Sequence, residues 1–267
     1  MKIDLFGPVR VRGNNSVAQP TAPKQRQLAA LLALRPNKLV TKDLIISELW
    51  QHSPPPSMTT TAQTYIYKLR KLLAEHSEAR SGKELIKTHD PGYILTVDES
   101  QIDVFRFRVL ARRARELSRE RPETAAVVLR EALGHLTEPP LVDVPLGPVL
   151  QIDAAQLAEE AISMVELRIE LDMRLGRHQE LVSELRSLVA RHPLREWFHY
   201  HLILALARSG RRSEALQAYD RLRRTMREEL GIDPQPLAER LQRVVLDGND
   251  ELLDPRLVPH ALVGADR

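Results

Sequence analysis

The sequence predicts an α+β N-terminal winged helix-turn-helix followed by an all-α tetratricopeptide-like helical repeat domain. Three observations carry that expectation. Residues 59–73, TTTAQTYIYKLRKLL, put Ala62, Ile66, Leu69 and Leu73 on one side of a helix at the spacing of a buried stripe. The first 98 residues run in the order strands, three helices, hairpin. After Asp98 strand signals stop, and Gly176-Arg177 recurs 34 residues later as Gly210-Arg211. The expected domains are 1–98, 99–246 and a loose C-terminal tail, 247–267.

The elements follow in order. Lys2 to Phe6 and Val9 to Arg12 alternate apolar and polar around Gly7-Pro8, which reads as two strands and a turn; Ser16 to Gln19 can add a third. Pro23 suits the first turn of a helix over Lys24 to Arg35, with Leu28, Leu31 and Leu32 inward. Thr41 is a natural N-cap for Lys42 to Trp50, with Leu44, Ile45, Leu49 and Trp50 as its buried side. Pro54, Pro55 and Pro56 prevent that helix from continuing. The 59–73 helix comes third. Glu84 to Thr88 and Tyr93 to Val97 then flank His89-Asp90-Pro91-Gly92, a hairpin with a four-residue connection.

Charge is uneven along the chain. The whole sequence carries a net charge of +3, but residues 1–98 hold 14 Lys+Arg against 8 Asp+Glu, a net of +6. The remainder holds 25 against 28, a net of −3, and no lysine lies beyond Lys87. A basic first domain points to a polyanion. The polar side of the third helix offers Thr60, Thr64, Tyr67, Lys68 and Lys71, and no acid. A helix anchored on one side with short polar and cationic groups on the other suits the DNA major groove. The competing account is an ordinary amphipathic helix with a solvated basic side.

Beyond Asp98 the chain is rich in Ala, Leu, Arg and Glu. Asp103 can cap a helix over Val104 to Glu120, and Pro122 opens another to about Leu136. Four prolines make residues 138–148 a loop. A long helix from about Val149 to Leu175 spaces Ile152, Leu157, Ala161, Met164, Leu167, Leu171 and Leu175 for burial. In the repeat, Leu185 matches Tyr219 and Leu188 matches Leu222. A 34-residue period with glycine at the inter-helix turn is the tetratricopeptide signature. The segment 104–136 reads as a degenerate earlier pair.

These residues carry a family resemblance. The Lys24-Gln25-Arg26 helix start, Leu44 with Leu49-Trp50, the run Tyr65-Ile66-Tyr67-Lys68-Leu69-Arg70-Lys71-Leu72-Leu73 and Thr88 with Pro91-Gly92-Tyr93-Ile94-Leu95 resemble the OmpR-type winged helix. Leu175-Gly176-Arg177-His178, Arg191-His192-Pro193-Leu194-Arg195-Glu196, Arg208-Ser209-Gly210-Arg211 and Glu229-Leu230-Gly231-Ile232-Asp233-Pro234 resemble the bacterial transcriptional activator domain. Together, in that order over about residues 1–246, they resemble the Streptomyces antibiotic regulatory protein family. The stretch Pro140-Leu141-Val142-Asp143-Val144-Pro145 keeps only a fragment of the usual pattern. The resemblance implies an activator that binds direct repeats near a −35 element with side-by-side protomers. It also implies recruitment of RNA polymerase through its sigma factor, and control of a secondary-metabolite gene cluster.

Thr60, Thr64, Tyr67, Lys68 and Lys71 are the candidate DNA contacts on the helix, with Thr64, Tyr67 and Lys68 the base-edge candidates. The resemblance adds Arg70 as a phosphate or groove contact. Lys87, His89 and Tyr93 are the wing candidates, and Tyr93 could equally pack the hairpin on the core.

No catalytic motif is present: there is no phosphate loop, no HExxH and no GxSxG. No cofactor or metal is implied. His199 and His201 point about 200° apart on a helix and do not share a side as two ligands would. Carboxylates of the second half sit among arginines at helical spacing, as surface ion pairs. The chain has no cysteine, which fits a cytoplasmic location. No signal peptide or membrane span is expected, and no membrane partner. The rival reading is a tetratricopeptide adaptor that acts by protein contacts without reading DNA. A ligand-sensing helical domain has only the presence of a groove behind it.

Overall fold

The computed structural model describes residues 1–248 apart from Asn15, His52, Ala79, Arg80 and Thr137; the expected tail lies almost wholly outside the described residues. Two compact units are present, Met1–Glu166 and a second that begins at Leu167. The first therefore holds the whole winged helix and the start of the helical region.

In the first unit, β1 (Lys2–Asp4), β2 (Arg10–Arg12) and β3 (Val17–Ala18) form an antiparallel sheet in that order, with Ile3 opposite Val11. Val11 is buried between exposed Arg10 and Arg12, as strand alternation requires, whereas in β1 both Ile3 and Asp4 are buried, Asp4 paired with Arg12. Helix α1 (Pro23–Ala33) has proline in its first turn and buries Leu28, Leu31 and Leu32. Helix α2 (Lys42–Trp50) is capped by Thr41, whose hydroxyl accepts from the Leu44 amide at 3.2 Å. Its buried side is Ile45, Glu48 and Leu49, whereas Leu44 and Trp50 are half-buried. Helix α3 (Met58–Glu75) buries the expected stripe of Ala62, Ile66, Leu69 and Leu73 against α1 and α2.

The wing departs from expectation in three ways. Strand β4 (Leu39–Thr41), invisible as a three-residue segment between helices, joins β5 (Ile86–His89) and β6 (Gly92–Leu95) in the order β4-β6-β5. Glu84 belongs to a one-turn helix, α4 (Gly82–Leu85), and not to the strand. The hairpin loop is two residues, Asp90-Pro91, because pairing continues out to His89 opposite Gly92. Gly92 permits that close ladder: a Cβ there would stand 2.0 Å from the Val40 carbonyl oxygen.

After a 3-10 turn at Glu99–Gln101, α5 (Asp103–Leu117) and α6 (Pro122–Leu133) form the expected helical pair. Four carboxylates stitch this region and α7 (Pro148–Arg174) to the winged helix. Asp103 sits inside the first turn of α5, and its oxygens accept from the Leu5 and Phe6 amides at 2.9 Å. Burial pushes its carboxyl up to about 6 even though amides donate to it. Asp143 accepts from the Val9 amide at 2.9 Å, and Asp153 pairs with Arg35 at 2.8 Å. Glu48 is fully buried and accepts from the Gly147 and Val149 amides, each at 2.8 Å. The proline-rich loop is thus a docking strap, with Pro140 bridged to Phe6 and Gly7. Within α7, Ile152 is 69% exposed, not buried; Leu150, two positions away on the helix, takes the inward place.

In the second unit, α8 (His178–Arg191), α9 (Glu196–Arg208) and α10 (Arg212–Leu230) pack in series, and α11 (Pro236–Asp247) covers α9 and α10. Gly176 and Gly210 both turn with φ above +70°, in open space, so backbone conformation and not crowding calls for glycine. The matched pairs Leu185 with Tyr219 and Leu188 with Leu222 are all buried. His199 and His201 hydrogen-bond the carbonyls of Pro193 and Trp197, each at 2.9 Å. The carboxylates are not all superficial, since Arg168 and Asp172 form a buried pair at 3.0 Å. No described helix is long and apolar enough to cross a membrane.

Candidate nucleic-acid interface

Helix α3 has neither glycine nor proline in its 18 residues, and its apolar stripe fixes which side faces out. The exposed side carries Thr59, Thr60, Gln63, Thr64, Tyr67, Lys68 and Lys71. No acid appears before Glu75, at the C-terminal end. Tyr67 is 68% exposed, a large aromatic left in solvent at the centre of that side. The Thr64 hydroxyl donates to the Thr60 carbonyl at 3.0 Å, so its proton is committed within the helix.

Arg70 is placed differently. Its Nε and Nη2 donate to the Ile86 carbonyl at 2.9 and 2.7 Å, and Nη2 also reaches the Thr88 hydroxyl at 2.8 Å. Its guanidinium lies 5.9 Å from the centroid of the Tyr93 ring. Gly82 completes this latch, since a Cβ there would stand 2.0 Å from the Arg70 carbonyl oxygen. Arg70 therefore ties the wing to α3, and Tyr93, only 6% exposed, packs beneath it.

Lys87, Thr88, His89 and Asp90 are exposed on the wing. Lys42, at the start of α2, meets Asp90 at 3.3 Å. Lys42, Ile45, Ile46, Thr59, Ala62, Gln63 and Tyr93 line a crevice between α2, α3 and the wing. The structure thus brings Thr60, Thr64, Tyr67, Lys68 and Lys71 onto one surface, and sets Lys87 and His89 on the neighbouring wing. Gln63 and Lys42 join this surface in addition to the residues expected from the sequence. Gln63 is a neutral amide that no charge count registers, although its helical spacing from Thr60 and Tyr67 places it on the same side. Among the described residues no group of three His, Cys, Asp or Glu converges as metal ligands would.

Residues 19–95 match the family described as "Transcriptional regulatory protein, C terminal", and residues 102–246 match "Bacterial transcriptional activator domain". The regulatory protein DnrI of Streptomyces peucetius is 38% identical over 252 residues, covering 92% of each chain. The chain belongs to the Streptomyces antibiotic regulatory protein family of transcriptional activators. The transcriptional regulator RedD of Streptomyces coelicolor is 29% identical over 262 residues, 98% of this chain and 74% of the relative. A solved structure of Mycobacterium tuberculosis EmbR in complex with a low affinity phosphopeptide has a TM-score of 0.84 at 28% identity. It covers 96% of this family member and 68% of the EmbR chain. The winged-helix and helical architecture is that of the family.

Proposed function

We propose that this regulator reads promoter DNA with α3 and activates transcription by recruiting RNA polymerase through its sigma factor. The carrying observation is the acid-free exposed side of α3, with the wing that carries Lys87 and His89 latched beside it. Thr60, Thr64, Tyr67, Lys68 and Lys71 enter the major groove, and Lys87 and His89 meet the backbone or minor groove. Arg70 and Tyr93 hold the wing at its distance from α3. Protomers stand side by side on direct repeats in the promoter of a secondary-metabolite gene cluster, in the cytoplasm. Membership of an activator family supports this reading, as does the charge excess of residues 1–98.

Replacing Thr64 and Lys68 together by Ala abolishes promoter selectivity in a gel shift while the protein stays folded. Unchanged selectivity sinks the assignment of α3. With about five phosphates contacted, log K falls against log salt with a slope near −4 to −5. A slope near zero favours the adaptor reading.

A further inference from the structure

We infer that Gln63 and Thr64 are the residues that set base specificity: Gln63 reads an adenine edge and Thr64 a thymine methyl. This inference rests on the DNA-reading proposal above.

The exposed side of α3 holds few groups able to tell one base from another. Lys68 and Lys71 are mobile point charges, and phosphate oxygens satisfy them as well as any base does. Tyr67 carries a single hydroxyl at the end of a long ring. Gln63 alone on this side presents a donor and an acceptor in one planar group. That fork matches the N6 amino group and N7 of adenine in the major groove.

The structure leaves the Gln63 amide available. Among the described residues it has no hydrogen-bond partner, while Gln25 and Gln27 on α1 are buried. Gln63 is the sixth residue of α3, in the half of a recognition helix that contacts base edges. It lines the crevice whose apolar wall includes Ile45, Ile46 and Ala62, with Lys42 and Thr59 at the rim. A stem lying against that wall loses fewer rotamers on binding than one free in solvent.

Thr64 is the neighbouring exposed position. Because its hydroxyl donates to the Thr60 carbonyl at 3.0 Å, it has no proton left for a base acceptor. What it offers is a methyl group held in one rotamer. The complementary feature in the major groove is the 5-methyl of thymine.

The test uses the full chain and a duplex carrying its footprinted promoter site, with affinity read by fluorescence anisotropy. Each adenine is replaced in turn by 7-deazaadenine, which lacks the N7 acceptor, and each thymine by deoxyuridine, which lacks the methyl. The wild type loses about tenfold or more at one 7-deaza position. Gln63→Ala shows that loss on the ordinary duplex and no further loss on the modified one. Thr64→Ser, which keeps the internal hydrogen bond, becomes indifferent to the one deoxyuridine that weakens the wild type. Both side chains are exposed, so the variants keep the wild-type thermal transition. If Gln63→Ala remains as sensitive to every 7-deaza substitution as the wild type, or Thr64→Ser to every deoxyuridine, the inference is overturned. If the wild type does not distinguish its promoter from random duplex, the DNA-reading proposal itself falls.

Discussion

The Glu48 carboxylate accepts the Gly147 amide at 2.8 Å, so an acid of α2 caps a helix that begins about a hundred residues later. The same carboxylate accepts from Val149 at 2.8 Å and receives the Gln27 side-chain amide at 3.2 Å. A Cβ on Gly147 would stand 2.3 Å from the Glu48 carbonyl oxygen, which leaves room only for glycine.

Removing that carboxylate strands the Gly147 and Val149 N–H groups at the helix end, while the Gln27 amide keeps the Glu48 backbone carbonyl at 2.7 Å. Glu48→Ala is expected to destabilise the first unit by about 2–4 kcal/mol. Gly147→Ala should be harmful for steric reasons, and Glu48→Gln should fall between. Trp50 lies in the first unit and Trp197 in the second. Denaturant unfolding followed by Trp50 fluorescence in a Trp197→Phe background measures the effect. A midpoint unmoved by Glu48→Ala would show that the cap contributes nothing.

Arg70 and the lysines of α3 separate by salt dependence. Arg70→Ala should weaken promoter binding by releasing the wing, while the slope of log K against log salt stays as in the wild type. Lys68→Ala or Lys71→Ala should lower that slope by about 0.9 if the residue meets a phosphate. Arg70→Lys should not rescue, because a single ammonium cannot reproduce the fork onto Ile86 and Thr88. A slope reduced by about one in Arg70→Ala assigns Arg70 a phosphate instead.

Asp90 is an acid on the wing tip, 3.3 Å from Lys42 and largely exposed. Near a phosphate backbone it repels the ligand and occupies a cation. Asp90→Asn is expected to raise DNA affinity by up to about fivefold at low salt, within the range of an exposed ion pair. Titration of both proteins at two salt concentrations checks it; equal affinity at low salt places the wing tip away from DNA.

His201 gives the second unit an acid sensitivity. Burial pushes its imidazole down to about 4 from the ordinary 6.5, and its ring stacks 3.6 Å from Trp197. The unfolded chain takes up a proton below about 6.5 that the folded chain refuses until about 4. Its contribution is therefore whole above pH 6.5 and is lost on acidification toward 4, about 3 kcal/mol in all. Asp103 in the first unit works in the opposite sense. Its folded carboxyl keeps a proton up to about 6 and the unfolded one only to 3.8, so its share declines as pH rises across that interval. Thermal melts followed at Trp197 should lose stability between pH 6.5 and 4, and His201→Phe should flatten that loss. An unchanged pH profile in the variant assigns the loss to other groups.

Legibility in the sequence tracked the range of the forces involved. The stripe of α3 was readable because amphipathic spacing is local, and the Gly176 and Gly210 turns because a positive φ names its residue type. Glu48 was opaque, and Asp103 was legible only as a helix-start acid. Both are acids in the core, against every compositional expectation, and the amides that justify them lie about a hundred positions away. Strand β4 was too short to show a period, and its pairing with β6 exists only once the wing is folded. Arg70 looked like its basic neighbours until the Ile86 carbonyl accounted for its guanidinium. Gln63 is a neutral amide, so neither basic charge nor a hydroxyl marks it in the sequence.

The carboxylate seam bears on how such regulators could be recombined. A hybrid joined at residue 98 would pair the amides of Leu5, Phe6 and Val9 with another relative's acids, and Glu48 with another relative's loop. Its parts would be foreign to one another at every stitch. The segment that can be exchanged as a self-consistent cassette runs from Met1 to Glu166, with the splice made inside α7.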